Sequence, residues 1–283
     1  MTEASCLCGT VRWRIEPPFA RMTHCHCSMC RKAHGAPFAT CISLPATGYA
    51  LLAGAESIVD FESAPGFHRA FCNVCGSVVP SSENGEWAYV PAGALDGDPG
   101  IRPGWHIFVA SKAPWYEIAD DLPRHDAYPS DQFGAPVERP DRRSGKAGVI
   151  AGSCLCGGVA FEVTAPFKAV QNCHCSRCRK ARAAAHTTNG FTAVDGLRFV
   201  RGEALLVSYK VPEASFFRQM FCRLCGSGMP RADRERGIAV VPFGALDDDP
   251  GVGPSRHIFT AYKAPWYEIA DKLPQFPERP PAP

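Results

Sequence analysis

Cys25, Cys27 and Cys30 lie close together in the chain, and Cys173, Cys175 and Cys178 repeat their spacing. Three is the informative number, because a structural zinc takes four protein ligands whereas a catalytic zinc commonly keeps three and leaves the fourth position to water or substrate. Such a site suits a thiol substrate: coordination would deprotonate it and leave its sulfur placed to attack an electrophilic carbon. Arg31 and Lys32, with Arg179 and Lys180 in the second copy, add positive charge beside the sulfurs and are the nearest candidate anchors for an anionic thiol. They read equally well as a solvated helix face. Two other readings of the triads stay open: redox thiols without metal, or a second structural site completed by His24, His26 or Cys41. Asn172 stands where His24 does, and the Cys41 position has no cysteine in the second copy, so neither serves in both. His26 and His174 persist, but each sits between two cysteines, with its side chain expected to point away.

A second cysteine set looks closed. Cys6 and Cys8 form one short turn and Cys72 and Cys75 another, far apart in sequence, as two-turn zinc sites require. Gly76 permits the tight backbone of the second turn. Cys154, Cys156, Cys222 and Cys225 reproduce the whole set. Disulfides or buried free thiols are the alternative. The N-terminus shows neither a charged leader nor an apolar stretch, and no run approaches a membrane span, so a cytoplasmic protein is the expectation. In a reducing compartment, fifteen clustered cysteines favour metal ligation over disulfides. The formal net charge of +2 would turn negative once thiolate-ligated zinc fills the sites, so neither a nucleic-acid footprint nor a membrane partner is expected.

The ligands recur because the chain recurs. Ser5-Cys6-Leu7-Cys8-Gly9 returns as Ser153 to Gly157, Gly93-Ala94-Leu95-Asp96 as Gly244 to Asp247, His106-Ile107-Phe108 as His257 to Phe259, and Lys112 through Asp120 as Lys263 through Asp271. Each copy carries ligands for its own metal and reads as a domain, residues 1–128 and 148–283, joined by a Pro-, Gly- and charge-rich linker over 129–147. Two such copies could pack as an intramolecular pseudo-dimer.

Alternation places Val11, Trp13 and Ile15 on one strand face, with Val159, Phe161 and Val163 as counterparts. Further short strands are expected around 197–200, 205–209, 217–221, 238–242 and 257–261. Ser28 and Ser176 could each N-cap a short helix. The chain is thus expected to be mainly β, with two tandem small antiparallel β-sheet zinc domains, each holding one short helix.

The motifs S-C-L-C-G, C-H-C-S-x-C-R-K-A, F-C-x-x-C-G-S, G-A-L-D and H-I-F-x-x-x-K-A-P-W together resemble the glutathione-dependent formaldehyde-activating family, whose domain is shared with centromere protein V. The resemblance spans nearly all of both copies. It implies a β-rich zinc fold like that of a family of small Rab-binding chaperones. It implies a structural zinc on Cys6, Cys8, Cys72 and Cys75 and a catalytic zinc on Cys25, Cys27 and Cys30, with the same roles for Cys154, Cys156, Cys222 and Cys225 and for Cys173, Cys175 and Cys178. The implied reaction makes or breaks a carbon–sulfur bond, in the type case glutathione adding to formaldehyde to give S-hydroxymethylglutathione.

Fold alone does not fix function, and the copies differ. The position of Phe38 in the first copy is taken by His186 in the second, where a histidine could act as general base, bind a substrate carboxylate, or merely pack. Trp115-Tyr116 and Trp266-Tyr267 are expected to pack the C-terminal segments onto the domains. Asp96, Asp247, His106 and His257 recur in both copies, as structural hydrogen bonding or catalysis would each require. The leading expectation is a zinc-dependent carbon–sulfur lyase acting on adducts of a small thiol such as glutathione. The alternative is a non-catalytic zinc module that binds a protein or senses thiols.

Overall fold

The computed structural model describes residues 1–83, 85–129 and 140–281. Each half is built from short strands around one seven-residue helix, α1 at Ser28–His34 and α2 at Ser176–Arg182. In the first half a three-stranded sheet orders Thr2–Ser5, Arg12–Ile15 and Tyr49–Ala53, and a five-stranded sheet runs Trp105–Ile107, Arg21–Cys25, Ala39–Pro45, Trp87–Pro91, Ser81–Glu83. A third sheet pairs Ile58–Ala64, Phe67–Cys72 and Val78–Val79. The second half repeats the first two sheets, and Leu206–Lys210 with Arg218–Cys222 repeats the core of the third. Pairing is antiparallel except at one edge of each five-stranded sheet, where Trp105–Ile107 and His257–Ile258 run parallel to the strand that ends in the first triad cysteine.

Alternation is obeyed where it was legible: Trp13 and Ile15 are fully buried while Arg12 and Arg14 point out. The strand expected over 257–261 is shorter, because Phe259 takes a left-handed backbone and Thr260–Tyr262 coils into a 3₁₀ turn. The helix caps also differ from expectation. Cys27 and Cys175, not the serines, are the N-caps, and their sulfurs accept from the backbone N–H of Cys30 at 3.3 Å and of Cys178 at 3.4 Å. A triad sulfur thus takes the place that a serine hydroxyl would fill.

Of the expected linker, residues 130–139 lie outside the described residues. The rest is already committed to the second half: Arg142 donates to the carbonyls of Cys154 and Leu155, and the Ser144 N–H to Asp248.

The halves meet in reciprocal contacts. A Cβ on Gly93 would fall on the backbone of Ala183 and Ala184, and one on Gly244 on that of Gly35 and Ala36, which accounts for the glycine of each G-A-L-D motif. Phe71 and Phe221 meet edge to face at 6.4 Å between centroids. The C-terminal segments pack on their own halves, as expected from sequence, with Tyr116 stacked on His26 at 5.8 Å and Tyr267 on His174 at 6.0 Å between centroids, and they also cross over. Trp115 lies in a core with Cys154, Phe161 and Phe243, while Trp266 and Tyr267 lie with Cys6, Trp13 and Cys75. Neither core is complete without residues of the other half.

Candidate metal and thiol sites

The tetrads are the more buried of the two kinds of site. Cys72 and Cys75 have no exposure, and neither do Cys154 and Cys222. The sulfurs of Cys6–Cys8 and Cys8–Cys72 stand 3.4 and 3.8 Å apart, those of Cys154–Cys156 and Cys156–Cys222 3.3 and 3.9 Å, and all four of each set lie within 4.8 Å of one another. Four sulfurs around zinc at about 2.3 Å would stand about 3.8 Å apart. A disulfide would need roughly 2.05 Å, and all fifteen cysteines are free. The donor set and its spacing therefore fit zinc. Ser77 Oγ accepts from the Leu7 N–H at 3.0 Å, and Ser227 Oγ from the Leu155 N–H at 3.0 Å, so each serine of C-G-S ties the two cysteine turns together.

In each triad the three sulfurs lie within 4.8 Å of one another. Cys27 keeps 9% and Cys30 8% of its exposure, more than the buried tetrad cysteines Cys6, Cys72 and Cys75, and Cys25, like Cys8 of the tetrad, is more open still. No fourth ligand joins them among the described residues. His24 is engaged with Thr40 at 2.8 Å, and in the second half Asn172 accepts from Thr188 in the same register. His26 turns into the core toward His106 at 2.8 Å, and His174 toward His257 at 2.8 Å. Cys41 packs against the first triad, its thiol pushed up to about 12 by burial and by the nearby Cys30.

In each triad one thiol is held toward ionisation while its two neighbours are pushed the other way. Hydrogen bonds from Cys25 and then Cys27 hold Cys30 well below the usual thiol range, and Arg69 reinforces this, its guanidinium 3.6 Å from the sulfur. Cys175 is pulled down to about 3, first by Cys173 and then by Cys178. Beside each triad a phenylalanine, Phe108 and Phe259, sits at φ 57°, a left-handed backbone that costs about 1–2 kcal/mol and recurs in both halves.

The proposed cationic anchors go elsewhere. Lys32 is buried in the contact between halves, 2.8 Å from Asp247 Oδ1 and donating to Ser153 O, Ser153 Oγ and Ala245 O. Lys180 meets Asp96 at 2.5 Å and Ser5 Oγ at 2.7 Å. Arg179 donates to the carbonyls of Tyr262 and Gly93, and Arg31 is half-buried with its buried Nε unpaired. Lys32, Lys180 and Arg179 thus join the halves, with Asp247 and Asp96 as the partners of the two lysines, while Arg31 and Arg179 also lie within electrostatic reach of Cys27 and Cys175. Arg69, which the sequence did not mark, is the cation that touches a triad sulfur. Its counterpart, two residues before the Phe221-Cys222 pair, is the buried Gln219.

His186 and Phe38 are not two separate pocket walls. Both are fully buried and touch each other, with ring centroids 5.7 Å apart, where the halves meet. His186 has no partner of hydrogen-bond geometry on either nitrogen, and burial, then the His257 charge, pulls it down to about 3. Replacing it with phenylalanine, as in the first half, is expected to stabilise the chain by about 1 kcal/mol or more, since two desolvated polar atoms disappear. The imidazole is protonated in the unfolded chain below about pH 6.5 but not in the fold, so its contribution is present above that pH and lost on acidification. The gain should widen as pH falls from about 6.5 toward 3. Urea unfolding of His186→Phe at several pH values measures this, and an equal or lower stability would contradict it.

An open cleft of about 770 Å³ lies between the halves, lined by Lys112, Trp115, Glu117 and Arg124 on one side and Asp249 and Val252 on the other. No triad cysteine lines it. Among the described residues no helix is long and apolar enough to cross a membrane.

Fold and sites define a duplicated β protein with a closed four-cysteine site and an open three-cysteine site in each half. The description of the glutathione-dependent formaldehyde-activating enzymes matches residues 1–111 and 149–262, and the chain belongs to that family. A Halomonas elongata protein named "Putative glutathione-dependent formaldehyde-activating enzyme" is 32% identical over 136 residues, covering 42% of this chain and 81% of that protein. A solved Rhodobacter sphaeroides protein is 28% identical and covers 37% of this chain and 97% of its own, with a TM-score of 0.29.

Proposed function

We propose that the protein is a zinc-dependent carbon–sulfur lyase that joins a small thiol of the glutathione type to formaldehyde or a related electrophile, or reverses that step, at the triads. The observation that carries this reading is the triad itself: three clustered, partly accessible sulfurs with no fourth ligand among the described residues, present in both halves. Cys25, Cys27 and Cys30, and Cys173, Cys175 and Cys178, would hold zinc, which when bound would lower the pKa of a substrate thiol and leave its sulfur nucleophilic. Arg69 would favour negative charge at the first triad. The family name supports a glutathione-like thiol and an aldehyde. With formaldehyde no net electron transfer is needed: a carbon–sulfur bond forms, the carbonyl π bond breaks, and the thiol proton ends on the new hydroxyl.

The Cys27→Ser/Cys175→Ser double variant should lose at least ~99% of thiol–formaldehyde addition above the uncatalysed rate, as expected when a metal that activates the nucleophile is lost. Its circular dichroism should match wild type. Retained turnover in the folded double variant would refute the site.

A further inference from the structure

Around the triads much differs between the halves: His24 against Asn172, Phe38 against His186, Arg69 against Gln219. One arrangement does not vary. Asp120 Oδ1 lies 2.9 Å from His106 Nε2, and His106 Nδ1 2.8 Å from His26 Nε2. In the second half Asp271 lies 3.0 Å from His257 Nε2, and His257 Nδ1 2.8 Å from His174 Nε2. The four imidazoles are at most 1% exposed, whereas the carboxylates reach the surface at 32% and 29%.

An ionised carboxylate only accepts, so with both imidazoles neutral one arrangement of protons satisfies the chain. His106 donates from Nε2 to Asp120 and accepts at Nδ1 from His26 Nε2–H. The ring of His26 is thereby fixed, and His26 is the single residue between Cys25 and Cys27. Its backbone N–H is held as well, by Ile107 O at 3.0 Å, as that of His174 is by Ile258 O at 3.0 Å. A residue pinned by both backbone and ring leaves the flanking cysteines little freedom to splay. Asp120 is itself held in place: its carboxylate accepts the Leu122 N–H, and its carbonyl accepts from Arg124.

We propose that Asp120 and Asp271 are positioning residues for the triads, acting through His106–His26 and His257–His174 to hold two of the three sulfurs at metal-binding separation. The inference rests on the reading of the triads as metal sites. Partners that orient ligands beyond direct contact with a metal typically change its affinity by about 10–100-fold when removed.

The test is chelator-competition titration with cobalt(II) on the full-length chain, in a Cys175→Ser background so that only the first triad remains. Asp120→Ala should weaken the triad by about 10–100-fold while both tetrads keep their affinity. Asp120→Asn keeps an oxygen to accept the His106 N–H and should restore most of the loss. Equal triad affinity in Asp120→Ala and its parent would overturn the inference, as would a parallel loss at the tetrads, which marks general loosening. Asp271→Ala in a Cys27→Ser background gives the same comparison independently if the first variant does not fold. Absence of cobalt from the triad of the parent would remove the metal reading and this inference together. Unchanged affinity in Asp120→Ala would remove the inference alone.

Discussion

Serine in place of Cys75 is expected to unfold the entire chain, the second half included. A structural zinc in a small domain contributes on the order of 10 kcal/mol, which is comparable to the whole net stability of a typical protein at about 5–15 kcal/mol. Sequence reading confines that loss to the first half. The packing extends it. The core that holds Cys6, Cys72 and Cys75 also holds Trp266 and Tyr267, while Trp115 from the first half fills the core around Cys154, Cys222 and Cys225. Losing one half exposes the apolar face of the other. Calorimetry of Cys75→Ser, and of wild type stripped by a strong chelator, should show loss of the single native transition. A surviving transition for residues 148–283 at the wild-type temperature would show that the halves fold independently.

The second large effect is at Lys32. Its ammonium and the Asp247 carboxylate are only 8% and 9% exposed, so Lys32→Ala strands a buried negative charge and should cost about 3–5 kcal/mol in urea unfolding. The counterpart pair is more open, with Lys180 at 18% and Asp96 at 51%, and Lys180→Ala should cost about 1 kcal/mol or less. The asymmetry is the useful part of the prediction, because the two lysines occupy equivalent positions in C-R-K-A. Equal costs would mean that burial does not decide the strength of these ties. Replacing Lys32 and Asp247 together by methionine and leucine should recover most of the loss, since no unpaired charge then remains.

What could be read from sequence was what chemistry makes local. Metal ligands must come in closely spaced turns, so all fourteen cysteines of the four clusters were identifiable before any fold was known, and the repeat grouped them correctly. Trp13 and Ile15 declared their strand face by alternation alone. The short helices began where expected, but the cap passed to Cys27 and Cys175, because sulfur at that position can accept the N–H that Ser28 was expected to take.

What stayed hidden depends on how the halves meet. Lys32 beside a cysteine triad looks like a substrate anchor until Asp247, more than two hundred residues away in the chain, is placed against it. Phe38 and His186 occupy matching positions of the repeat, yet only the packed fold shows that they touch each other. Asp120 and His106 were visible as repeated residues, but only the packed fold links them to His26. Arg69 gave no signal, since its counterpart in the repeat is glutamine.

The account turns on the triads being open zinc sites. Metal analysis of the purified chain, followed by timed removal with a mild chelator and by titration with glutathione, tests this directly. Four zinc ions per chain are predicted, two released quickly or perturbed by the thiol and two retained until the protein unfolds. Two tightly held ions, with triads that take up no zinc and ignore the thiol, would contradict it.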